Sequence, residues 1–353
     1  MATHMTSLQR VLTTLGHQEP DRVPFFLFAT LHGAKELGLS IEEYFSRPEN
    51  VVEGQLRLRS KYRADSVSAF FYAGLEMEAW GAETIFAEDG PPNAGAPPIR
   101  NLADIAKLIP PRIADCAGLC RALEATRQLK ARIGDDALII GVVISPFSLP
   151  IMQVGFDRYF NLIYEQPDLL ARLLQVNETF CVEWANAQLA AGANAICYFD
   201  PVSSTTILPP DLSRRFGFPL MRRTIASLNG PAVLHFASGN CLSLVDDIAQ
   251  TRVVAVGVSA LENLEALKNA CRGKFALIGN LNAIEMRHWS REQTETKVKE
   301  AITQAGRGGG YILADNHGEI PWQVPDEVLL AVSEAVHRWG RYPLDWVPAD
   351  AGQ

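Results

Sequence analysis

Apolar residues recur at helical spacing from Ser7 to Leu15, after which Glu19-Pro20-Asp21-Arg22-Val23-Pro24 interrupts the pattern ahead of the apolar run Phe25 to Phe28. The opening of the chain is therefore expected to be a helix, a turn and a strand. Ile41 to Tyr62 predicts helix, with Pro48-Glu49-Asn50 as an interruption or a fresh cap, and Asp65 to Phe71 predicts a strand. The stretch Glu88-Asp89-Gly90-Pro91-Pro92-Asn93-Ala94-Gly95-Ala96-Pro97-Pro98 is too rich in Pro and Gly for regular structure and predicts a surface loop, a candidate lid.

Beyond that loop, helical and apolar runs alternate. A helix is expected over Ala117 to Ile133, a buried strand over Ala137 to Ile144, helices over Arg158 to Gly192 and a strand over Ala195 to Phe199. The second half repeats the rhythm with strands Ala232 to His235, Val253 to Val258, Phe275 to Ile278 and Tyr311 to Ala314. Short β-rich runs without polar alternation belong to strands covered on both faces. Their alternation with helices predicts an α/β fold, a TIM (β/α)8 barrel with an N-terminal helical extension over 1–20. At 353 residues one barrel domain, 1–353, accounts for the whole chain. The glycines of Gly306-Arg307-Gly308-Gly309-Gly310 precede a strand, where a phosphate loop would precede a helix, so they predict a helix-to-strand connection.

Charge narrows the partners. A net charge of −8, with no run of Lys or Arg, argues against nucleic acid. No apolar stretch approaches the roughly 20 residues that span a bilayer, and six scattered cysteines offer no disulfide framework. A cytoplasmic protein without a membrane partner is the expectation.

Barrels place their chemistry just past the carboxyl ends of the strands. Reading there collects Ser145 with Ser148, Asp200 with Ser203 and Ser204, His235 with Ser238 and Asn240, Ser259, Asn280 with Asn282, and Asp315, His317 and Glu319. Asp, Ser and Asn are also ordinary turn formers and helix caps, so their convergence carries more than any single residue. His235 and His317 are the sharper signal, because imidazole serves as acid, base or metal ligand near neutral pH. His17, His32, His288 and His337 are expected at the surface or as caps, and His4 is given no role. Glu76 and Glu78, two apart after an exposed-looking Tyr72, cannot share a helix face, so one is expected to enter the pocket and the other to pair outside it.

These residues resemble the uroporphyrinogen decarboxylase superfamily, including its cobalamin-dependent methyltransferase branch. The resemblance runs from Glu19-Pro20-Asp21-Arg22-Val23-Pro24 to the final helix Asp326 to Trp339. It is carried by Glu76-Met77-Glu78-Ala79-Trp80-Gly81, Ser145-Pro146-Phe147-Ser148-Leu149, Ala191-Gly192-Ala193, Asp200-Pro201, Gly279-Asn280-Leu281 and His317-Gly318. The resemblance implies an arginine-rich clamp soon after the first strand in the decarboxylases, where this chain has Phe28-Ala29-Thr30-Leu31-His32-Gly33. Their catalytic aspartate aligns with Tyr72, their pocket tyrosine with about Met152, and their C-terminal histidine matches His317. A polyanionic porphyrinogen then lacks guanidinium partners.

The methyltransferase branch is similar at Glu76 and Glu78, Asp200-Pro201 and His235. It implies zinc on a His-x-Cys pair and a later cysteine, which here become Ala237 and about His317. Two readings stay open: an altered zinc or other divalent metal site on His235 and His317 with Asp315, Glu319 or Cys241, or no metal and histidines acting as acid–base groups. The resemblance thus implies a corrinoid-dependent methyltransferase, moving methyl between cobalamin or a corrinoid protein and a small-molecule donor or acceptor. His235, His317, Glu76 and Asp200 are its catalytic candidates, Tyr72, Ser145, Asn280, Asp315 and Glu319 its substrate contacts, and a homodimer is compatible with it. A decarboxylase or lyase and a non-catalytic tetrapyrrole-binding protein are the alternatives.

Overall fold

A computed structural model describes residues 5–348; His4 lies outside them. Seven parallel strands form one sheet in chain order: β1 Ser66–Ser68, β2 Leu138–Ile144, β3 Ala195–Phe199, β4 Ala232–His235, β5 Ala255–Gly257, β6 Ala276–Leu281 and β7 Tyr311–Asp315. The predicted first strand, Phe25 to Phe28, shrinks to a single parallel bridge from Phe25 to Leu313. That segment nevertheless closes the barrel. Phe26 N–H donates to Leu313 O and Leu313 N–H to Pro24 O, both at 2.9 Å, while Asp65 N–H donates to Phe25 O at 2.8 Å on the other side. Pro24 has no N–H to give, which limits how far the eighth stave can pair.

Other boundaries moved for identifiable reasons. Ile41–Ser46 and Pro48–Tyr62 are separate helices, the second opened by Pro48 at its first turn. The strand expected over Asp65 to Phe71 stops at Ser68, and side chains replace the missing pairing along β2. The Gln188 amide takes the N–H of Val142 at 2.9 Å and donates to its carbonyl at 2.8 Å, and Glu76 Oε1 takes the Ile144 N–H at 2.9 Å. Within 88–98 lies half of a two-residue antiparallel pair, Thr84–Ile85 with Asn93–Ala94, and Gln323 ties the loop down at Asp89. Gly308, Gly309 and Gly310 all have φ between 64° and 73°, the left-handed turn that joins helix Arg291–Ala305 to β7.

Side chains alternate across the wall. Leu138, Ile140, Ala255, Ala276, Ile278, Ile312 and Ala314 fill the interior together with Phe26 and with Val11 from helix Ser7–Leu15, which plugs the barrel's amino-terminal end. Ile139, Tyr198, Leu234, Val256, Tyr311 and Leu313 face the helical layer, where Leu129 and Ile133 of Ala117–Ile133, Phe180 and Trp184 of Pro167–Ala191, and Leu329 and Val336 of Asp326–Trp339 meet them. Period-two alternation then decides which strand-end residues look inward: Phe199 two past Cys197, His235 two past Val233, Asn280 two past Ile278. Among the described residues no helix is long and apolar enough to cross a membrane.

Candidate active site

His235 is the polar group at the centre of the barrel mouth. Its ring stacks on Phe199, the residue it faces across β3 and β4, with centroids 5.5 Å apart and planes 14° apart, and Phe28 meets its edge at 6.3 Å. Two glycines make room for it. A Cβ on Gly257 would fall 2.3 Å from the ring, and one on Gly318, whose φ is +93°, would fall 3.3 Å away. Burial, together with neighbouring His317, lowers the imidazole pKa to about 4, so the ring is neutral at physiological pH. Its Nδ1 accepts the Ala237 N–H at 3.0 Å, which places the ring proton on Nε2, an atom with no partner. Ala237 and Ser238 both occupy the left-handed region, at φ 49° and 68°, a strain of about 1–2 kcal/mol per residue that is concentrated beside the group it orients.

The loop after β7 closes over this ring. Asp315 Oδ2 accepts the N–H groups of His317 at 2.7 Å and Gly318 at 2.8 Å, which bends the chain so that Gly318 sits on the imidazole. Asn316 clasps Ser238 across the mouth at 2.9 Å, joining the loops after β4 and β7. His317 is exposed at the rim. Glu319 accepts the Leu31 N–H at 3.1 Å; burial raises its pKa to about 8, with Asp315 adding to the rise. The Asp315 carboxyl is raised as well, first by burial. Asn280 points inward and donates to Ser259 O at 2.9 Å.

The other expected site residues are placed elsewhere. Asp200 follows an inward Phe199 and so turns outward; it is fully buried and accepts three hydroxyls, from Ser145 at 2.7 Å, Ser148 at 2.6 Å and Ser203 at 2.6 Å. That set ties the loops after β2 and β3 to each other, and Ser145 belongs to it. Tyr72, expected exposed, is 2% exposed: it packs on Phe45 and Phe86 and gives its hydroxyl to Glu78 at 2.6 Å. Glu76 does not enter the mouth; it lies behind the end of β2 beside Trp184 of helix Pro167–Ala191. His32, expected at the surface, is buried with its pKa lowered to about 4, mainly by burial. The expected metal set does not assemble, since Cys241 is buried with its N–H on Glu262, and among the described residues no three His, Cys, Asp or Glu side chains could hold a metal ion. Phe28, Phe199, Gly257 and Gly318 were not among the site residues expected from the sequence, although the pairing of Phe199 with His235 follows once β3 and β4 are aligned at their ends.

Glu76 has a consequence for stability. Burial raises its pKa to about 8, against the opposing pull of the Ile144 N–H and Trp184, whereas in an unfolded chain it titrates near ~4.3. Folding takes up a proton between those values, so the stabilising contribution is full below the lower one and is lost as pH rises through about 8. Glu76→Gln is therefore expected to flatten part of the fall in Tm up to about pH 8, leaving the slopes of the other carboxyls raised by burial, Glu319, Asp315 and Asp200. Equal slopes in thermal melts of the two proteins would refute this assignment.

The family profile for uroporphyrinogen decarboxylase (URO-D) matches residues 6–339. The uroporphyrinogen decarboxylase of Cupriavidus necator is 28% identical, with 96% of this chain and 98% of that protein covered. That of Xylella fastidiosa is 27% identical, with 96% and 100% covered. Among solved structures, a methyltransferase from Methanosarcina mazei has the same fold, with a TM-score of 0.79, 22% identity, and 95% and 99% of the two chains covered.

Proposed function

This chain belongs to the uroporphyrinogen decarboxylase family, and within it we propose a methyltransferase that moves a methyl group between a corrinoid on a partner protein and a small molecule without multiple negative charges. The observation that carries this reading is the company of His235: Phe28, Phe199, Gly257 and Gly318 surround the ring, and none is charged. A porphyrinogen with many carboxylates is held by guanidinium forks, and such a substrate brought here would lose water without gaining a counter-charge. The methyltransferase of Methanosarcina mazei supports the reading as a precedent on the same fold.

The donor set does not fit zinc: among the described residues no three His, Cys, Asp or Glu side chains come together to hold it. A corrinoid fits better. The loops after β3, β4, β5 and β6 each expose one aliphatic side chain, Ile207, Leu242, Leu261 and Ile284, which would face a partner-borne macrocycle. Bound there, the corrinoid would supply the methyl carrier. The chain's own residues supply orientation and a proton. His235 presents a neutral Nε2–H donor fixed by the Ala237 amide, suited to an oxygen or nitrogen acceptor on the substrate. Glu319 keeps its proton up to about pH 8 and can deliver it to a leaving oxygen or nitrogen. The Asp315 turn holds Gly318 over the site and keeps water from it.

Incubation of the purified chain with methylcobalamin and a panel of thiols, alcohols, phenols and amines should show methyl transfer in at least one direction by the change in corrinoid absorbance. Conversion of uroporphyrinogen to coproporphyrinogen with no methyl transfer would reverse the reading in favour of the decarboxylase that the sequence relatives are named for.

A further inference from the structure

At the end of the barrel opposite the mouth lies a cavity of about 200 Å³. Leu8, Val11 and Leu15 form its floor from one face of helix Ser7–Leu15, and Val233, Ala255 and Ile312 line it from the strands. No charged residue borders it. Its one polar side chain, Asn194, spends its Oδ1 on the Ile139 N–H at 2.8 Å.

The helix leaves this space because it is fastened at one edge. Arg10 reaches Asp65 at 2.6 Å and Asp21 at 2.6 Å, both on the side of β1 and the opening segment. The far side, bordered by Pro231 and Val254, lacks such a tie, and there Leu12 stands 57% exposed at the lip. Water would find few polar partners inside, and an apolar void of roughly 150 Å³ in another protein stays dry and accepts benzene. The volume is too small for a helix or a peptide segment, and a charged group would enter without a counter-charge.

We propose that this cavity is a binding site for one small, uncharged, apolar molecule, an aromatic ring or a short hydrocarbon chain, separate from the chemistry at the mouth. An occupant fills the gap between helix Ser7–Leu15 and the strand ends and adds apolar contact to both. The site needs no reaction at His235, so it stands or falls independently of the methyltransferase reading.

The test titrates p-xylene, and p-toluate as its charged counterpart, into the full-length chain, read by methyl NMR and thermal melting. Saturable shifts at Leu8, Val11 and Ile312 methyls with a rise in Tm, for p-xylene and not for p-toluate, support the site. Ala195→Leu, which fills the cavity from β3, should abolish both effects. Leu12→Glu, at an exposed position that leaves the fold intact, should weaken p-xylene binding by about tenfold, because a carboxylate at the lip resists desolvation. Absence of shifts in the wild type, shifts confined to the mouth loops, or unchanged affinity in Leu12→Glu would overturn the proposal.

Discussion

Replacing Asp65 with alanine is expected to destabilise the chain by about 3–5 kcal/mol, the range for breaking a buried ion pair on one side. Asp65 is fully buried and holds two cations at once, Arg10 at 2.6 Å and Arg22 at 2.8 Å, while its Oδ2 also takes the Phe25 N–H at 2.8 Å. Alanine leaves the buried Arg22 guanidinium without its carboxylate, leaves Arg10 with Asp21 alone, and frees the backbone that closes the barrel. Replacing Arg22 by methionine in the same variant should recover part of the loss, since the uncompensated charge goes with it. Urea unfolding curves measure both. A loss below about 1 kcal/mol, the common cost of any point change, would mean that the cluster is ornamental to the closure.

The largest effect on activity is expected at His235. His235→Ala should lower kcat/KM for methyl transfer by about a hundredfold, the scale for removing one preorganised hydrogen-bond donor from a water-excluded site. His235→Gln, which restores an amide donor, should recover part of it. Because the ring is neutral down to about pH 4, the rate should show no limb from His235 near its ordinary value. A falling limb is expected as pH rises through about 8, when Glu319 gives up the proton it holds in the fold, and Glu319→Gln should remove that limb. An acidic limb between about pH 6 and 7 that vanishes in His235→Gln would show that imidazolium, not neutral imidazole, does the work.

Much of the architecture was legible along the chain. Helices Ser7–Leu15 and Ala117–Ile133 and strands Ala195–Phe199 and Ala232–His235 have the limits their periodicity predicts, since each buries one continuous apolar stripe or run. Asp65 to Phe71 read as a longer strand than it is, because propensity is silent about what lies alongside: the Gln188 amide and the Glu76 carboxyl take the backbone groups a neighbouring strand would have paired.

Of the site, the sequence by itself determined the barrel, the strand ends as the place of chemistry, and His235 as a central candidate, because parallel strands and their loops are written in local apolar periodicity and turn residues. Only the tertiary structure decided which way each strand-end residue faces. Asp200 and His235 are equally polar and each ends a β run, yet a one-residue offset turns Asp200 outward onto three serines and leaves His235 inside against Phe199. Tyr72, Glu76 and Cys241 lie beyond the strands, and contacts distant in the chain hold them away from the mouth: Tyr72 against Phe45 with its hydroxyl on Glu78, Glu76 on the Ile144 N–H, and Cys241 on Glu262. Facing depends on register between strands distant in the chain, and the charge state of His235 and Glu319 on the water their packing excludes; neither is encoded in any local run of residues.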